Sequence, residues 1–164
     1  MDLYRWIVFL HVLGSFGFML AHGASASAAF RLRRERDLER IRALLDLSAS
    51  SGIVLYVSLL VLLGAGIAAG FMGRYWGRGW IWASLAVLIA LMLAMWVSGS
   101  SYYHRVRKAV GLEYMEGSKP HPPVDPASAE EIDALLASSP ALFLALIGGG
   151  GLVVLVWLMM FKPF

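Results

Sequence analysis

The stretch SASSGIVLYVSLLVLLGAGIAAGFM, residues 48–72, decides the fold class of this chain. It runs for 25 residues without a charged side chain, and about 20 apolar residues are enough for a helix to cross a bilayer. Three further apolar stretches cover residues 3–30, 80–103 and 140–161. Because a backbone in lipid must satisfy its hydrogen bonds internally, each stretch predicts a helix. We therefore expect an all-α fold, a four-helix transmembrane bundle that forms a single domain over residues 1–164.

The composition of the whole chain agrees with a membrane protein. Its residues are 59% hydrophobic and 15% charged, with a mean hydropathy of +0.70, which excludes an ordinary soluble domain. The absence of cysteine excludes disulfides, iron–sulfur clusters and zinc–thiolate sites. The net charge is only +3, and the basic residues flank the apolar stretches. This pattern predicts contact with the lipid bilayer and no nucleic-acid partner.

Basic residues also predict the orientation. Ten of the 14 Lys and Arg residues lie in two connections, residues 31–47 and 104–139. The positive-inside rule places both connections in the cytoplasm and both termini outside. We therefore expect a multi-pass protein of a bacterial cytoplasmic (inner) membrane. Its N-terminus differs from a signal peptide, because Asp2 precedes a single arginine and the apolar stretch is too long.

The two connections carry helix signals of their own. In the first connection, Leu38, Ile41 and Leu45 form one stripe, which predicts a helical extension of a span or an interfacial segment. In the second, a proline-rich linker is followed by Ser128 and, three residues later, Glu131. That spacing predicts a capping box at the start of a short helix.

Two histidines lie within the first apolar stretch, His11 and His22. An ionisable side chain inside a span is a candidate functional site. Eleven residues of helix return to the same face within about 20° and advance about 16 Å, so the two imidazoles cannot share one metal ion. If the span continues to residue 30, they lie in opposite membrane halves. If it ends near Gly23, His22 lies level with His104, and these two could ligate one iron.

The spans contain no acidic residue, which disfavours zinc, calcium and magnesium. Haem b needs only one or two axial side chains, a flat apolar slot and basic groups for its propionates. Copper is the alternative, with histidine and methionine ligands such as Met19, Met92, Met95 or Met159. The candidate cofactor site contains the axial ligands His11 and His22, His104 as a further ligand, Arg5 and Arg31 for the propionates, and the glycine surface of Gly148 and Gly149.

The segment HVLGSFGFMLAHG, residues 11–23, places Phe18 seven residues after His11 and the small residue Ala21 shortly afterwards. It resembles the first span of small four-span bacterial proteins of the CopD-like copper-resistance type and of HemJ-type protoporphyrinogen oxidases. The whole chain also looks like predicted integral membrane proteins with four spans. The HemJ resemblance implies that His11 is a haem ligand. HemJ-type catalysis is associated with a lysine inside a span, and these spans contain none, so the resemblance implies haem binding without that reaction.

Three functions follow from these observations. The first is a haem b protein that carries electrons or senses redox state, forms a homodimer through glycine-rich faces, and exchanges electrons with a quinone or a redox partner protein. The second is a copper-handling transporter. The third is a structural membrane subunit whose histidines only form hydrogen bonds between helices. No motif indicates a hydrolase or nucleotide chemistry, so no catalytic residue is assigned, and oxidoreductase activity stays an open alternative.

Overall fold

The computed structural model describes residues 2–164, and most of them are helical. Four of its helices are long and apolar enough to cross a membrane, as the sequence predicts, so the chain is an all-α, multi-pass membrane protein. In chain order the elements are α1 (Leu3–Leu32), α2 (Leu38–Met72), a 3-10 turn (Tyr75–Gly77), α3 (Gly79–Ala109), β1 (Tyr114–Glu116), β2 (Lys119–His121), α4 (Ala129–Ala137) and α5 (Ala141–Phe161).

Aspartates begin the first two helices. The side chain of Asp2 accepts the N–H of Tyr4, and that of Asp37 accepts the N–H of Arg40 at 2.9 Å, so each satisfies a backbone donor that the helix leaves unpaired. The predicted amphipathic stripe is the first part of α2 itself, where Ile41 is buried. With 35 residues, α2 is about 50 Å long, well beyond the about 30 Å of a hydrocarbon core. The prediction of a helical extension is confirmed.

The four spans pair through small residues. Helix α1 packs along α2, α3 packs along α5, and α1 also contacts α5. A Cβ on Gly14 of α1 would stand 2.7 Å from the backbone nitrogen of Leu62 in α2. A Cβ on Gly151 of α5 would collide with the side chain of Leu91 in α3. Glycines therefore allow the backbones to approach closely, as is common between helices in lipid.

One end of the bundle, which we term the arginine-rich end, contains residues 31–47 and 104–140. Helix α4 covers this end, and Ser128 and Glu131 form the predicted capping box at its start. A cluster of buried side chains joins α1, α2, α3 and α4 there. Its members are Leu32, Ile41, Leu45, Tyr102, Val106, Val110, Ile132 and Leu136.

The arginine-rich end also holds a small antiparallel hairpin of β1 and β2. The sequence predicts only a proline-rich linker here, because three-residue strands are too short for an alternating pattern. Gly117 has a φ of +63° in the turn, a conformation that favours glycine. The hairpin is tied to α3, since Arg107 Nε donates to the carbonyl oxygen of Glu113 at 2.7 Å.

The start of α1 and the last residues of the chain lie at the opposite end of the bundle. The N–H of Trp80 donates to the carbonyl oxygen of Phe164 at 3.1 Å, and the Lys162 ammonium lies 5.1 Å from the ring centre of Tyr75. The hydroxyls of Tyr4 and Tyr75 are 3.4 Å apart. These contacts place the start of α1 and the end of α5 on one side of the bundle.

Candidate functional site

Helix α1 is continuous to Leu32, so His11 and His22 lie in opposite halves of one long span. The structure thereby selects the first of the two arrangements that the sequence leaves open. The two imidazoles nevertheless have different neighbours. His11 contacts α2, whereas His22 contacts α5 and lies close to a methionine of α3.

His11 is held by the backbone of α2. Its Nδ1 lies 2.8 Å from the carbonyl oxygen of Leu62, and because a carbonyl only accepts, Nδ1–H is the donor. The ring lies against Gly66, where a Cβ would stand 2.9 Å from Nδ1. This is the interhelical hydrogen bond that the structural-subunit alternative expects. It also leaves Nε2 of the neutral ring with a free lone pair, the usual state of a histidine oriented to bind a metal.

His22 lies where α1, α3 and α5 meet. Its ring is in contact with Gly148 of α5, and its Cε1 is 2.5 Å from the position of a Cβ on that glycine. The sulfur of Met95 on α3 lies 3.5 Å from the same position. His22 is half-buried, and none of the hydrogen bonds within residues 2–164 involves its ring. An imidazole and a thioether thus lie near the same glycine in an apolar junction.

His104 has a different role in the structure. Its Nδ1 accepts the N–H of Met115 at 3.3 Å, which places the proton of the neutral ring on Nε2. It therefore holds the hairpin against α3. Nine residues separate it from Met95 on α3, about 13 Å along the axis. His22, which lies beside Met95, and His104 are therefore at different depths and do not face a common iron position.

The candidate arginines lie outside the buried part of the bundle. Arg5 and Arg31 are both exposed. Nine residues of helix place Arg31 on the side of α1 opposite His22, about 180° away. Arg33, eleven residues after His22, returns to the histidine face. Of the two, Arg33 is therefore the better placed to reach a group bound at His22.

The glycine run of α5 is divided between two surfaces. Gly148 is buried, and the imidazole of His22 fills the space beside it. Gly149 has nothing within 4 Å of a Cβ position, so its bare backbone faces outward. The expected flat surface for a macrocycle is thus occupied at Gly148 and open at Gly149.

The sequence predicts a homodimer through glycine-rich faces, but two glycines of α2 have partners within the chain. Gly66 lies against His11, and Gly70 lies against Trp76 and Ile81 at 3.2 Å and 3.3 Å from a Cβ position. Glycines in α2 and α5 that have open space instead are Gly52, Gly64, Gly149 and Gly150.

Residues 2–164 contain no group of three or more His, Asp or Glu side chains placed to hold a metal ion. A metal here would need fewer protein ligands, or methionine sulfur. From the sequence, Met95 is only one of four methionines that copper could use. Spacing along the chain does not show which of the four lies close to a histidine of another helix. No protein-family model, curated protein or solved structure matches this chain.

Proposed function

We propose that the chain is a membrane-embedded haem b-binding protein for electron transfer or redox sensing, with His22 as its principal axial ligand. The observation that carries this proposal is the half-buried imidazole of His22, which has no hydrogen-bond partner within residues 2–164 although it lies among three helices. A polar group without a partner is costly in an apolar medium. Coordination to iron would satisfy the imidazole lone pair.

The surrounding residues fit such a group in their chemistry. Met95 would offer a thioether near the histidine, and methionine as a ligand raises the reduction potential of a haem. Arg33, at the arginine-rich end, is the cation that could pair with a propionate. Bound haem would supply the one-electron chemistry, while the spans orient the histidine and exclude water. His11 remains a second candidate through its free Nε2.

Copper handling is the second candidate, and one observation favours it. The ring of His22 and the sulfur of Met95 both lie near Gly148, and imidazole with thioether is a ligand set suited to copper. This site needs no flat slot, which matters because the imidazole already fills the space at Gly148. A copper site at this junction would be formed by α1 and α3 together.

The absorption spectrum of the full chain, purified in mild detergent from haem-replete cells, tests both candidates. For a haem protein we expect a Soret band and sharp α and β bands after dithionite, which His22→Ala abolishes. His121→Ala, in the hairpin, is the matched control and should leave the bands unchanged.

Metal analysis of the same samples separates the remaining outcomes. A colourless protein that holds copper, and loses it in both His22→Ala and Met95→Leu, would replace haem binding by copper handling. A colourless protein without metal would leave the structural-subunit alternative.

A further inference from the structure

A groove of about 860 Å³ lies between the last turns of α3 and the β1–β2 hairpin. Along α3 it is lined by residues that recur every fourth position, Trp96, Ser100, His104 and Lys108. Residues at this spacing form a continuous row on a helix surface. Ser101 and Arg105 form a second row beside the first. The groove therefore runs along α3 from the apolar part of the span to the arginine-rich end.

The hairpin forms the other wall of the groove and is fixed in place. The N–H of Met115 donates to His104, and Lys108 Nζ lies 2.8 Å from a carboxylate oxygen of Glu116. Lys108 and Glu116 neutralise each other. The only acidic side chain that lines the groove within residues 2–164 is therefore already paired with a cation.

Arg105 supplies the uncompensated charge of the groove. It is exposed, and it takes part in none of the ion pairs or side-chain hydrogen bonds formed within residues 2–164. The hydroxyls of Ser100 and Ser101 also have no protein partner in this part of the chain. A single cation with nearby hydroxyl donors is complementary to a monoanionic phosphodiester.

The polarity of the groove changes along its length. Trp96, 67% exposed, lies nine residues before Arg105, which corresponds to about 13 Å of helix. An amphipathic aromatic ring followed by hydroxyls and then a cation matches the order of acyl chain, glycerol and phosphate in a lipid. We propose that the groove binds an anionic phospholipid, whose phosphate contacts Arg105 and whose acyl chains pass Trp96. This proposal does not depend on haem or copper binding.

Native mass spectrometry of the detergent-purified full chain tests the proposal. The chain is titrated with palmitoyl-oleoyl phosphatidylglycerol or, at the same concentrations, with the corresponding phosphatidylcholine. We expect preferential retention of phosphatidylglycerol, and a loss of affinity of about fivefold in Arg105→Gln. Arg105→Lys should keep most of the affinity because it keeps the charge. Arg34→Gln removes another exposed arginine of the same end, outside the groove, and should bind like the unaltered chain.

Three results would overturn the proposal. Equal losses in Arg105→Gln and Arg34→Gln would mean attraction to the general surface charge. Equal retention of phosphatidylcholine would mean that the headgroup charge does not determine the affinity of the groove for a lipid. Displacement of phosphatidylglycerol by millimolar inorganic phosphate would assign the groove to a soluble phosphate compound. Circular dichroism of each variant should match that of the unaltered chain, since Arg105 forms no ion pair or side-chain hydrogen bond within residues 2–164.

Discussion

The imidazole of His22 occupies the space that a side chain on residue 148 would need. The same relationship recurs in the other half of α1, where the ring of His11 lies against Gly66. Each histidine ring of α1 thus packs against a glycine of a neighbouring helix. A glycine in a helix costs about 1 kcal/mol relative to alanine on the soluble scale, and here the bare backbone makes room for an aromatic ring.

Gly148→Ala should therefore destabilise the protein. The added Cβ would meet the ring of His22, whose Cε1 is only 2.5 Å away, and overpacking of this kind costs about 1–3 kcal/mol. Thermal unfolding in detergent, followed by circular dichroism, measures the change. Gly149→Ala is the control, because nothing lies within 4 Å of its Cβ position. It should leave stability unchanged or raise it, and equal effects of the two substitutions would contradict the proposed contact.

The hydrogen bond from His11 to the carbonyl oxygen of Leu62 should make a measurable contribution to the pairing of α1 and α2. His11→Leu removes the donor while keeping an apolar side chain. We expect a loss of about 0.6 kcal/mol, the average for such bonds in membranes, and of at most about 1.7 kcal/mol. His11→Gln retains an N–H donor and should recover part of that loss. Unfolding in mixed detergent micelles would show the difference. If both variants unfold like the unaltered chain, the bond adds nothing to stability.

The sequence predicts the spans well because lipid imposes a simple length and polarity requirement on each of them. The capping box at Ser128 and the stripe of Ile41 and Leu45 are local patterns, and they are also found as predicted. The hairpin was not predicted, since its strands have three residues each and β2 contains Pro120. It forms through contacts with α3 that no local pattern records.

The candidate site was predictable only in part, because it also depends on contacts between helices that no local sequence pattern records. Eleven-residue spacing places His11 and His22 on one face of α1, and the structure keeps them on one helix. Spacing along one helix does not reveal that the rings reach different helices. The approach of His22 and Met95 to the same glycine, Gly148, depends on how α1, α3 and α5 meet, which is a tertiary property.

The ion pair between Lys108 and Glu116 should make the docking of the hairpin depend on pH. The hydrogen bond from the Lys108 ammonium lowers the pKa of Glu116 below its ordinary value. A carboxyl whose pKa is lowered by folding stabilises the folded state above its unfolded pKa. That contribution is lost as the pH falls through the lowered value. A carbon-13 NMR titration of the Glu116 carboxyl in micelles measures this pKa.

Lys108→Gln is the control for that titration. It removes the ammonium, so the pKa of Glu116 should rise toward the ordinary value. If the titration midpoint of Glu116 is the same in both proteins, the ion pair with Lys108 does not lower the pKa of this carboxyl.

Leu136→Ala tests where the hydrophobic effect stabilises this fold. Between spans, lipid tails are as apolar as the helix surfaces, so burial there gives little hydrophobic gain. At the arginine-rich end, α4 has only 9 residues, too few to cross a bilayer by itself, and Leu136 on it is fully buried. Its truncation should cost about 2–5 kcal/mol. Leu142→Ala, on the exposed face of α5, should cost much less in thermal unfolding experiments. Similar losses would mean that the cluster under α4 is no more important to stability than a detergent-facing leucine.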